Sequence, residues 1–178
     1  MHYQYFIHMR DELVKKLTGG DLRSIGEANA VVDEIKDQSD FDALFACLHL
    51  DDRLVIMRAA DAIEKITVKR SDFLSGHKEE LFTFCRSADN SEFKWHLALL
   101  LPRLSLSRDE FADAWEILSS WLCDPKESKI VRVNSMQALF ELSKQDEAAR
   151  ERFDSILLEV EMEKIPSLLA RIRKIRRT

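Results

Sequence analysis

The chain is poor in the residues that punctuate and staple a fold. Its 178 residues include only 4 glycines, 3 prolines and 3 cysteines. A many-stranded β fold needs turn-formers at frequent intervals, and this scarcity argues against one. Three cysteines do not make a disulfide framework and fit a reducing compartment. Long apolar runs are missing too, since charges interrupt each one well short of the roughly 18 residues that span a membrane. The opening MHYQYFIHMRDELVKK has no basic leader ahead of an apolar stretch. These absences leave a helical, cytoplasmic, single domain with a full-sized core as the expectation. Its first helix is expected near Asp11, with the segment before Met9 as an extension.

Catalytic signatures are equally scarce. The five histidines (His2, His8, His49, His77, His96) are scattered. No H-E-x-x-H, C-x-x-C, glycine-rich phosphate loop or G-x-S-x-G occurs. No catalytic residue, metal or cofactor is expected.

What is present is charge and period. The net charge is −5, yet residues 164–178 hold six bases (Lys164, Arg171, Arg173, Lys174, Arg176, Arg177) and no acid, which leaves −11 on the first 163. Cations at a helix C-terminus complement its dipole. Cys47, Cys85 and Cys123 are spaced by 38 and again by 38, each followed four residues later by an acid: Asp51, Asp89, Glu127. MRAADAIEKI (57–66), WHLALLLPRL (95–104) and VNSMQALFEL (133–142) align at the same offset. Apolar or small residues fall in register at Val55/Phe93/Val131, Ala59/Leu97/Ser135, Ala62/Leu100/Ala138, Ile63/Leu101/Leu139 and Ile66/Leu104/Leu142. A fixed period of this size marks a repeat array.

Weaker copies at 26–35 and 166–175 bring the count to five units, near 9–37, 38–70, 74–106, 107–145 and 147–178. Within a unit, Val55, Ala59, Ala62, Ile63 and Ile66 share one helical face. The preceding helix carries Phe41, Leu44, Phe45 and Leu48. Ser39 to Asp42 and Ser107 to Glu110 look like capping boxes, and Gly19-Gly20 ends the first helix. Pro102 sits inside a predicted helix, where it would kink the chain. Such a hairpin cannot bury its apolar face alone, so the units must stack.

IVRVNSMQALFEL (130–142) is similar to the second helix of a HEAT repeat, and the alignment covers residues 21–175. Whole phrases, among them MRAADAIEKI and KWHLALLLPRL, resemble small bacterial HEAT-repeat proteins. The resemblance implies an all-α fold, a right-handed α-α superhelix of about five antiparallel helix pairs. It also implies that Asp124 and Arg132 ladder between repeats, with Lys94 at the arginine position of the preceding unit and Ile56 at that of the one before.

In such arrays the second helices line the concave side. The columns expected to be exposed there read Arg58, His96, Asn134; Asp61, Leu99, Gln137; and Lys65, Arg103, Glu141, extended by Glu27, Glu34 and Lys174. This mixed polar stripe suits an extended peptide or protein surface better than a small molecule, which needs a deep apolar pocket. The leading expectation is therefore a non-enzymatic interaction module, a monomer or weak homo-oligomer with a protein or peptide partner and no membrane. The alternative is a DNA-binding enzyme resembling the HEAT-like alkylpurine DNA glycosylases, with Trp95 stacking on a base and Asp61 stabilising an oxocarbenium ion. A body of charge −11 disfavours nucleic acid. The thiols do not make a metal site: equivalent positions on stacked helices lie roughly 8–10 Å apart, against ~2.3 Å for a zinc–thiolate bond. Each cysteine is expected to be a small buried residue at the end of its first helix.

Overall fold

The computed structural model describes residues 2–18, 28–145 and 147–178. Gly19, Gly20 and Glu27 lie outside that set. Among the described residues there are ten α-helices and three 3₁₀ turns, with no strand. None of these helices is long and apolar enough to cross a membrane. The chain divides into two compact units, residues 1–76 and 77–178.

Unit 1 holds α1 (His2–Leu17), α2 (Ala28–Glu34), α3 (Gln38–Phe45), the 3₁₀ turn Ala46–His49 and α4 (Arg53–Thr67). α1 packs on α3 and α4, and α2 packs on α4. The first helix thus begins at His2, well before Asp11. No glycine or proline interrupts it, and Tyr5 ties its start down by donating a 2.8 Å hydrogen bond to the buried Asp40 of α3. Leu13 and Leu17 supply its buried face.

Unit 2 holds α5 (Lys78–Ser87), α6 (Ser91–Leu100), α7 (Arg108–Cys123), α8 (Lys129–Ser143), α9 (Glu147–Met162) and α10 (Pro166–Ile175). Successive helices pair as α5–α6, α7–α8 and α9–α10. α5 also packs on α7, while α8 packs on both α6 and α10. Lys164, at a φ of 56°, closes α9 in the left-handed conformation and turns the chain into α10. Pro102 terminates α6 instead of kinking it: the helix stops at Leu100, and Leu101–Arg103 form a 3₁₀ turn.

The five apolar columns read from the sequence are buried at every one of their fifteen positions. The helix caps keep the same period. Asp52, Asn90 and Ser128 are the N-caps of α4, α6 and α8, and each accepts from the amide three residues on, at Val55, Phe93 and Val131. Ser107 and Glu110 form the expected capping box on α7. Ser39 does not cap α3. That role falls to Asp37, one helical position before Gln38, whose carboxylate accepts from the Asp40 amide at 3.0 Å.

Candidate functional site

The polar residues of the second helices fall into two groups, buried cations and an exposed track. Arg58 and His96, expected in the exposed columns, are 3% and 4% exposed. Arg58 turns inward from α4 and donates from Nη1 to the Leu17 carbonyl, the last residue of α1, at 2.8 Å. A cation there meets the negative end of the helix dipole and a carbonyl without an intrahelical partner. The His96 ring stacks edge-on against Trp95 at 4.9 Å between centroids. Both therefore leave the exposed columns: a long or aromatic side chain folds back over the core instead of outward.

In unit 2, Lys94 and Arg132 each pair with an acid of the following hairpin, and in neither case is that acid Asp124. Lys94 Nζ of α6 lies 2.6 Å from Glu127 in the turn between α7 and α8. Arg132, 1% exposed, grips Glu163 in the turn between α9 and α10 through two parallel bonds of 2.9 and 2.6 Å. Its Nε also donates to the Leu122 carbonyl near the end of α7 at 2.7 Å. That bond to Arg132 holds the Glu163 carboxyl below its ordinary range. Asp124 is exposed and instead closes its own turn, accepting from the Lys126 amide at 2.9 Å. The sequence did carry a signal for Glu127, which sits in the acid column four residues after each cysteine. Glu163 carried none, because the last unit breaks the period and Ile165 stands 38 residues after Glu127.

The exposed track lies on α8 and α10. Gln137 bridges two charges: its Nε2 donates to Glu141 at 2.9 Å, and its Oε1 accepts from Arg171 Nη1 of α10 at 2.8 Å. Glu141 also accepts from Lys144 at 2.7 Å. The result is a continuous line, Arg171–Gln137–Glu141–Lys144, with half-buried Asn134 one turn before it and exposed Lys174 beside Arg171. Arg103 is half-buried in the 3₁₀ turn after α6. In unit 1, Asp61 and Lys65 of α4 pair at 2.6 Å, and Lys65 also reaches Asn29 of α2 at 3.1 Å.

Two of the thiols are core residues. Burial pushes Cys47 up to about 11 and Cys85 to about 12, which keeps both protonated at neutral pH. Cys123 departs from the expectation: as the last residue of α7 it is exposed. Among the described residues no three His, Cys, Asp or Glu side chains are placed to hold a metal ion. No protein-family model, curated protein or solved structure matches the chain.

Proposed function

We propose that the chain is a non-enzymatic interaction module of the HEAT-repeat type, whose second helices offer their polar faces to an extended peptide or protein surface. The observation that carries this reading is the Arg171–Gln137–Glu141–Lys144 track. It joins cation, amide, anion and cation along neighbouring helices, with Glu141 and Lys144 exposed, Gln137 and Arg171 half-buried, and an amide that can exchange its internal partners for a backbone. Surfaces of this kind fix register and orientation through polar complementarity. The burial of all five apolar columns at a 38-residue offset supports the repeat character of the scaffold.

The test is affinity capture from native lysate with the wild-type chain and with the combined variant Gln137→Ala, Arg171→Glu, Lys174→Glu. None of the three side chains is buried, so helicity by circular dichroism stays unchanged while retention of the partner falls at least tenfold. The same proteins retained equally by both chains would refute the assignment to this face. Retention that disappears with modest added salt, along with recovery of nucleic acid, would favour polyanion binding instead.

A further inference from the structure

A second surface lies on the first helices of unit 2, apart from the polar track. α7 and α9 border an open groove of about 640 Å³, with Ala112, Trp115, Glu116 and Ser119 on one wall and Arg152 and Ile156 on the other. The Arg152 guanidinium lies over the Trp115 ring, 4.9 Å from its centroid. Stacking uses the face of a guanidinium and leaves its in-plane N–H fork available. Among the described residues Arg152 has no hydrogen-bond or ion-pair partner, and neither does Glu116 across the groove. Between them the Ser119 Oγ is shielded from solvent without a hydrogen-bond partner. A cation, an anion and a hydroxyl, each lacking a partner, therefore line one trough with apolar ground between them.

We infer that this groove binds a peptide segment of mixed charge, in which an acidic and a basic residue flank an apolar side chain. The carboxylate takes the Arg152 fork, the basic group meets Glu116, and the apolar side chain lies on Ala112 and Ile156. Glu116 selects against a purely anionic ligand such as phosphate, because a second negative charge would face it across the trough. This surface is independent of the reading given above, since α7 and α9 do not carry the Gln137 track.

The probe is the full ¹⁵N-labelled chain titrated with two synthetic peptides, acetyl-Ala-Lys-Leu-Glu-Ala-amide and acetyl-Ala-Glu-Leu-Lys-Ala-amide. Saturable amide shifts confined to residues 112–120 and 152–156 are expected with at least one of them. Arg152→Glu and Glu116→Arg should each weaken that binding at least tenfold, and the charge-exchanged pair Glu116→Arg with Arg152→Glu should restore it for the peptide of opposite order. Arg152→Lys separates the fork from the charge and should weaken binding by a smaller factor. Absence of saturable shifts with both peptides would overturn the proposal. Equal shifts with acetyl-Ala-Glu-Leu-Glu-Ala-amide, or saturation by inorganic phosphate alone, would overturn it as well.

Discussion

Arg58 in unit 1 and Arg132 in unit 2 are both buried, and both donate to a carbonyl at the C-terminal end of another helix, Leu17 of α1 and Leu122 of α7. Arg132 extends forward to a carboxylate in the next hairpin and joins three helical segments with one side chain. The repeat position equivalent to Arg132 is Lys94 one unit earlier and Ile56 in unit 1. The Lys94 ammonium pairs with Glu127 and lies over the Trp121 ring at 5.8 Å, whereas the Ile56 side chain can make no polar contact. One helical scaffold thus accepts three solutions at one column, because apolar burial carries the fold and the polar rung is added to it.

The widest gap should come from deleting the two arginines. Arg132→Leu removes a bidentate pair and leaves the Leu122 carbonyl short of a donor, so a loss of about 3 kcal/mol is expected in urea melts. Arg58→Leu removes the bond to the Leu17 carbonyl at the end of α1, and at least about 1 kcal/mol is expected. A loss of well under 1 kcal/mol for Arg132→Leu would mean that its pair with Glu163 adds nothing. Lys94→Met keeps the stem packing and discards one largely buried pair, for an expected loss of about 1 kcal/mol.

A smaller effect concerns acid. Lys78, 2.7 Å from Glu110, and the Ser107 amide hold the Glu110 carboxyl down at about 2, against an ordinary 4.5. A carboxyl depressed in the folded state stabilises above its unfolded value, and the effect is lost as pH falls from about 4.5 towards 2. Glu110→Gln should therefore flatten the acid limb of unit 2 in that window and leave its slope above pH 5 unchanged. An unaltered acid limb would show that the cap and ion pair do not persist in solution.

The helical class, the period and the apolar columns were legible because burial depends on spacing, and a spacing of 38 repeated through Val55, Phe93 and Val131 needs no coordinates to be seen. Polar partners were legible only in part. Lys94 and Arg132 were placed as rungs, but Asp124 was assigned a role that belongs to Glu163. Either acid is within reach of a long cation on paper, and the local turn decides which one faces it. Arg58 and His96 were assigned to solvent from their helical angle alone, while a flexible stem and a flat ring both bend towards the nearest unsatisfied carbonyl or aromatic edge.

By itself the sequence determined that this chain is helical, where its hairpins turn and which side of each helix is apolar, since those follow from short-range periodicity and capping. Only the tertiary structure decided which carboxylates Lys94 and Arg132 hold, and that Arg152 and Glu116 line one trough. Those pairings depend on distances between residues some thirty positions apart in the chain, which the spacing along one helix does not fix.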